Sequence, residues 1–253
     1  MERQSAAAGT PRGCRAGDEH TVPGCLPPDH RRHSAGQPVS IAPEGRPFVA
    51  ASVMFLAVLI GLAWWRGGWW IVPAVLWCPL TAWVPWFFRD PARNGPRGDG
   101  IVLAPADGRV VSIVEVDEPT FLERPATRVS VFMNVFDVHV NRHPVSGTVN
   151  HRHYRRGRFF NATLDKASEH NEQVSLGVHT VHGTLLIRQI AGLLARRIVT
   201  DPQVGEAVHQ GERLGMIRFG SRVDTFLPRE ARVRVSVGDR TKAGLTIVAE
   251  WPQ

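Results

Sequence analysis

Lysine is almost absent from this chain. Of its 30 lysine and arginine residues only Lys166 and Lys242 are lysine, and nothing around either marks an amine held for Schiff-base chemistry. The formal charge of +7 is therefore carried by arginine, and a basic balance suits nucleic acid or an anionic membrane. Cysteine is scarce too. Cys14, Cys25 and Cys78 are odd in number and scattered, which suggests neither a disulfide framework nor a metal site. There is no basic run interleaved with aromatics and no zinc-finger spacing, so the positive charge does not point to nucleic acid. Residues 1–46 lack the early apolar core of a signal peptide. They are rich in proline, glycine, alanine and arginine, show no hydrophobic period, and read as a disordered basic leader.

What is abundant comes next in the chain. Pro47–Trp65 and Trp69–Phe88 carry no charge, and about 20 apolar residues of helix match a hydrocarbon core. Seven of the eight tryptophans lie between Trp64 and Trp86, and many sit at the ends of these runs, where indole rings prefer the membrane interface. The competing interpretation is a helical hairpin buried in a soluble core. Pro73, Pro79 and Pro85 weaken the second helix and either kink it or hold it shallow in the bilayer. Arg31, Arg32 and Arg46 precede the pair and Arg89, Arg93 and Arg97 follow it. That bias places both ends, and whatever follows, on the cytoplasmic side.

Beyond Gly100 the pattern changes to short runs of period two with dense glycine and proline. Arg109–Val116, the alternation from Val129 to Val135, that of Val233, Val235 and Val237, and Leu245–Trp251 read as strands. Leu185–Val199 fits helix or strand. A phase shift near Phe136–Asp137 suggests a bulge. The expected architecture is a mainly β (α+β) catalytic domain, residues 89–253, after a membrane-associated helical hairpin, residues 47–88.

Gly220-Ser221 is the only Gly-Ser step in the chain. Such a step is ordinarily a turn. Its chemical alternative is attack of the Ser221 hydroxyl on the Gly220 carbonyl, followed by elimination that breaks the chain and leaves a pyruvoyl group. Glycine suits the acyl position because it has no Cβ.

The run Gly211–Asp224 with Leu227-Pro228 closely resembles the processing site of short-form phosphatidylserine decarboxylase proenzymes. Phe87–Pro91, Ala104–Gly108, Phe136–Arg142 and Asn161–Ser168 agree with that family in the same order, so the resemblance covers about residues 48–250. It implies self-cleavage into chains 1–220 and 221–253 that remain associated. It also implies a covalent pyruvoyl cofactor made from Ser221, no metal, and decarboxylation of phosphatidylserine in the cell membrane to phosphatidylethanolamine and CO2. A homo-oligomer is compatible with it. His139 stands where the family's Asp-x-His motif places its functional histidine. Asp107 matches the aspartate that orients it and completes a Ser-His-Asp arrangement. Longer family members carry a second histidine, held to be the base for self-cleavage, at the register that Arg142 occupies here, with His143 one position later. Either His139 serves both cleavage and decarboxylation, or His143 shares the work, and Arg142 and His143 stand as secondary or substrate-binding candidates. Lys166 lies in a segment that lines the family's active site, where a cation would suit the substrate's carboxylate or phosphate. Two rivals remain: the same chemistry on a soluble amino acid or another serine compound, and a non-catalytic membrane protein with a carrier-like β-domain.

Overall fold

The computed structural model describes residues 39–157, 170–192, 197–218 and 220–252. Lys166 and residues 1–38 of the leader lie outside them. Part of the leader is ordered. β1 (Ser40–Ile41) pairs antiparallel with β2 (Arg89–Asp90), and Ala42 is buried. The apolar residues Ile41 and Ala42 pack with Phe87 and Phe88, which composition over 46 residues does not reveal.

Between these strands run α1 (Arg46–Arg66) and α2 (Ile71–Phe87), each long and apolar enough to cross a membrane. Their outer faces are bare: Trp64, Trp69 and Leu76 are 92%, 86% and 72% exposed. Unsheltered apolar surface on this scale contradicts a hairpin buried in a soluble core. Ser52 Oγ donates to Thr81 Oγ1 at 3.0 Å, Trp77 Nε1 donates to the Ser52 carbonyl at 3.3 Å, and Phe55 meets Trp77 edge to face. Small and polar contacts of this kind join helices where the surroundings are as apolar as the side chains. Pro79 and Pro85 lie inside α2 without ending it.

The remaining strands are β3 (Ile101–Leu103), β4 (Gly108–Glu118), β5 (Arg124–Met133), β6 (Val140–Arg142), β7 (Gly147–Arg155), β8 (Gln173–Thr180), β9 (Gly183–Ala191), β10 (Ile198–Thr200), β11 (Ala207–Val208), β12 (Arg213–Ile217), β13 (Ser221–Pro228), β14 (Arg232–Val233), β15 (Arg240–Thr241) and β16 (Ile247–Glu250). The ambiguous Leu185–Val199 stretch thus begins in a strand. Eight strands form one antiparallel sheet in the order β11-β7-β8-β9-β13-β5-β4-β15. Two three-stranded sheets, β10-β12-β6 and β14-β16-β3, complete the domain. Val131, Met133, Leu176, Val178, Ile187, Val223 and Leu227 contribute to the core between these layers.

The expected bulge at Phe136–Asp137 is instead a tight turn. Asn134 Oδ1 accepts the Phe136 amide at 2.7 Å, and Asp137 Oδ2 accepts the Asn134 amide at 2.9 Å. Side-chain acceptors in this turn replace the ladder partners the backbone leaves behind. The register shifts fall elsewhere, at Val110/Ser112, Val149/His151, Arg213/Gly215 and Ile247/Ala249.

Candidate active site

Ser221 opens β13, the strand in the middle of the large sheet. Its backbone is fixed on both sides, opposite Met133 of β5 and Ala191 of β9. By the two-residue period its side chain shares a face with Val223 and Leu227, and it is fully buried. Among the described residues the Oγ has no hydrogen-bond partner, and leaving a buried hydroxyl unsatisfied costs about 1–3 kcal/mol. Gly220 lies outside the ladder with φ +56°, and the place where a Cβ would stand is empty. The intervening peptide bond therefore joins a rigid strand to a glycine in the left-handed region, where other residues are strained. No side chain at 220 shields its carbonyl.

Two connections bring His139 to the same end of the sheet. β5 ends at Met133, the partner of Ser221, and the Asn134–Asp137 turn leads directly to His139. From the other side the Ile217 amide, at the end of β12, donates to the His139 carbonyl at 3.4 Å. The imidazole is fully buried against Phe87, with ring centroids 4.4 Å apart. Its Nδ1 lies 3.0 Å from the Asp137 carbonyl, while Nε2 is buried without a partner among the described residues. A carbonyl only accepts, so Nδ1 carries the proton and Nε2 keeps its lone pair. Burial pushes the His139 pKa down to about 4, and the nearby Arg89 guanidinium adds to the effect. At neutral pH this is an uncharged imidazole with a free basic nitrogen.

Asp107 does not touch that ring. Its Oδ2 pairs with Arg93 Nη2 at 2.7 Å, and its Oδ1 accepts the Ala243 amide at 2.7 Å. It acts on the histidine at one remove. Arg89 donates to the Trp86 and Phe136 carbonyls and lies in the fields of both Asp107 and Asp137, and Arg89 in turn acts on His139. Gly108, next to Asp107, is required by close approach: a Cβ there would stand 2.1 Å from the Phe132 carbonyl oxygen.

Arg142 is committed to structure. Its Nη2 meets Asp90 Oδ1 at 2.5 Å and the Pro91 carbonyl at 2.9 Å, and its Nη1 donates to the Gly211 carbonyl at 3.1 Å. It ties the segment after α2 to the loop before β12. His143 is buried with neither ring nitrogen bonded, and burial, aided by His209, pushes its pKa down to about 4. Its backbone bonds to Gly211 and Glu212. A cavity of about 340 Å³ lined by Ser146, His179, Thr180, Gln210 and Trp251 opens where β8 turns into β9. That is the opposite end of β9 from Ala191, roughly 25 Å from Ser221 at the rise of a strand.

A family model described as phosphatidylserine decarboxylase matches residues 80–249. A phosphatidylserine decarboxylase proenzyme of Symbiobacterium thermophilum is 50% identical over 214 residues, 84% of this chain and 96% of that protein. Proteins of the same description from Magnetococcus marinus and Saccharopolyspora erythraea are 46% and 48% identical, over 81% and 82% of this chain and 93% and 87% of theirs. The chain belongs to the phosphatidylserine decarboxylase family. The match begins inside α2 and takes in every residue so far placed at the site.

Sequence reasoning missed a buried polar chain over the Ser221 end of the phosphatidylserine decarboxylase fold. Asn141 Nδ2 points at Met133 Sδ at 3.5 Å, Gln189 Nε2 donates to Asn141 Oδ1 at 2.8 Å, and Thr200 Oγ1 donates to Gln189 Oε1 at 2.6 Å. Met133 and Gln189 lie on the strands flanking β13. Asn141 therefore bridges across β13 and fixes β6, which follows His139. Its only signal was an amide residue between two apolar or charged neighbours, too common to single out.

Proposed function

We propose that this chain makes its own pyruvoyl group at Ser221 and uses it to decarboxylate phosphatidylserine to phosphatidylethanolamine. The observation that carries the reading is Ser221 itself: a buried hydroxyl with no partner, held by two ladders directly after an unshielded left-handed glycine. His139 Nε2, likewise without a partner among the described residues and therefore not hydrogen-bonded to Ser221 Oγ in the uncut chain, is the base once the two close. Ser221 Oγ attacks the Gly220 carbonyl carbon and its proton passes to Nε2. The Gly220–Ser221 C–N bond breaks, the nitrogen takes a proton back, and an ester remains. Loss of the Ser221 Cα proton then breaks the Cβ–Oγ bond and frees the Gly220 carboxylate. Water replaces the nitrogen, which leaves as ammonia.

The surroundings suit that product, because removing an unbonded Oγ sacrifices no hydrogen bond. The pyruvoyl ketone supplies an electrophile for the substrate amine and a sink for the electrons released with CO2. The chain's own part is to keep the pocket dry, through Phe87, Met133 and Val223, and to deliver a proton from His139. Cleavage does not free the small chain 221–253, because β13 stays zipped between β5 and β9.

A lipid substrate is favoured over a soluble amino acid because Phe87, the last residue of α2, packs against His139. A hairpin entering the bilayer would thus end against the imidazole, and the flanking arginines favour the cytoplasmic face for this end. Lys166 is a further candidate for the substrate's anionic groups.

Intact-mass analysis of the purified protein tests the reading. Two chains, 1–220 and 221–253, are expected, the smaller blocked to Edman sequencing. Ser221→Ala should yield one inactive chain. A protein that releases CO2 from phosphatidylserine while uncut refutes the mechanism.

A further inference from the structure

We propose that Arg218 and Arg197 form an anion site that holds the phosphodiester of the lipid headgroup beside the base of the hairpin. The proposal rests on the phosphatidylserine reading above and goes beyond it by naming the groups that recognise the phosphate.

The two arginines face each other across an antiparallel pair. β10 and β12 run with Ile198 opposite Ile217, Val199 opposite Met216 and Thr200 opposite Gly215. One step further the Arg218 amide donates to the Arg197 carbonyl at 3.3 Å, so Arg197 and Arg218 are directly opposed with side chains on one face. Like charges in that position repel. Among the described residues neither has a carboxylate partner. The acid whose field acts on Arg218 is Glu44, whose Oε1 is held by Arg213 at 2.5 Å. Arg218 Nε is buried without a hydrogen bond. Burial and the field of Arg197 both work against its charge. A bound anion removes all three penalties together.

The position selects the anion. Arg218 shares a face with Met216, two residues back, and Met216 packs with Phe87, Phe88 and Val140 at the foot of the hairpin. The Arg218 guanidinium lies 5.0 Å from the Phe48 ring centroid, in the first turn of α1. It is two residues before Gly220 and adjacent to Ile217, whose amide binds the His139 carbonyl. An anion held here therefore has apolar helices on one side and the Gly220-Ser221 bond on the other. A phospholipid meets that geometry, with its acyl chains along the hairpin and its headgroup at the reacting residue. Guanidinium groups match a phosphodiester by paired N–H donors.

The test uses the full-length, self-cleaved protein in neutral-detergent micelles. Arginines are modified with phenylglyoxal and the labelled peptides counted by mass spectrometry. Four conditions are compared: dioctanoyl phosphatidylethanolamine, dioctanoylglycerol, inorganic phosphate at the same concentration, and detergent alone. Labelling of Arg218 and Arg197 is expected to fall at least fivefold with the phospholipid only. Equal labelling throughout overturns the site, and equal protection by inorganic phosphate overturns the lipid assignment. In the mixed-micelle decarboxylation assay, Arg197→Gln and Arg218→Gln should each raise the apparent KM for phosphatidylserine about tenfold and leave kcat within about threefold, with Arg218→Lys intermediate. Arg197 is exposed, so its variant decides the matter if Arg218→Gln does not fold. A loss in kcat alone, or no kinetic change, overturns the proposal. Arginines protected by phosphatidylethanolamine in a chain that yields no CO2 would keep the anion site and refute the proposed function. Decarboxylation with unprotected arginines would do the reverse.

Discussion

Self-cleavage should be almost insensitive to mild acid, which an ordinary histidine base would not allow. The perturbation is a shift of the freshly made, uncut chain from pH 7.5 to 5.5. His139 acts as base only when neutral, and burial against Phe87 holds its pKa at about 4 instead of 6.5. At pH 5.5 about 97% of such an imidazole is neutral, against about 9% of an unperturbed one, a difference of about tenfold in rate. Stability falls over the same range and must be separated. The unfolded chain takes up protons below pH 6.5 that His139 and His143 refuse until about pH 4. The stability they contribute is therefore full above pH 6.5 and lost as pH falls towards 4. At pH 5.5 the loss is about 1.4 kcal/mol for each histidine, part of a total of about 5–15 kcal/mol, and circular dichroism shows whether the fold survives. The assay is cell-free synthesis into detergent micelles, transfer to buffers from pH 4.5 to 8, and the cut fraction followed on gels. A rate within twofold between pH 7.5 and 5.5 is expected. A tenfold fall with a midpoint near 6.5, in a chain still folded, refutes the neutral, desolvated base.

Two other substitutions separate chemistry from structure. Asp107→Asn keeps an acceptor for the Ala243 amide but leaves Arg93 and Arg89 without its charge, so the imidazolium formed as Ser221 gives up its proton is penalised. Uncut chain should accumulate with a rate loss of about 10²-fold or more, and normal cleavage would remove Asp107 from the processing machinery. Arg142→Met strands the Asp90 carboxylate and should cost about 3–5 kcal/mol, roughly 10 °C in Tm, while the folded fraction still cleaves; an unchanged Tm with a raised KM would make Arg142 a substrate group instead.

The parts legible in the sequence are those whose physics is local. An uncharged run of bilayer length is visible without any partner, and α1 and α2 fall within a few residues of the expected limits. Gly220-Ser221 stands out in the sequence because the proposed chemistry needs adjacent atoms. The alternation of Val129 to Met133 gave β5 its faces. What stayed hidden depends on contacts across long stretches of chain. Asn141, Gln189 and Thr200 form one chain of hydrogen bonds from three separate strands. Nothing in the local sequence of Ser40–Ile41 says that it will pair with Arg89–Asp90, 48 to 50 residues later. The tautomer of His139 is set by a backbone carbonyl, a group present at every residue, so no motif can announce it.

That last contact changes how the site divides its work. In a Ser-His-Asp arrangement the aspartate both fixes the tautomer and balances the charge of the protonated ring. Here the Asp137 carbonyl performs the first task at Nδ1. Under the proposed mechanism the second would fall to a relay in which Asp107 holds Arg93 and lies in the field of Arg89. A direct carboxylate partner would raise the histidine's pKa, and the ring would then be largely protonated in mild acid. Separating the two tasks keeps the imidazole neutral and dry while leaving negative charge within reach for the moment it gains a proton. The dryness comes from Phe87, the final residue of α2. The apolar helix α2 thus also sets the basicity of His139. Shortening that side chain with Phe87→Leu should move the cleavage midpoint up from about 4 towards 6.5, even in a protein that still binds micelles. A midpoint that does not move would assign the depressed pKa to Arg89 rather than to burial by the hairpin.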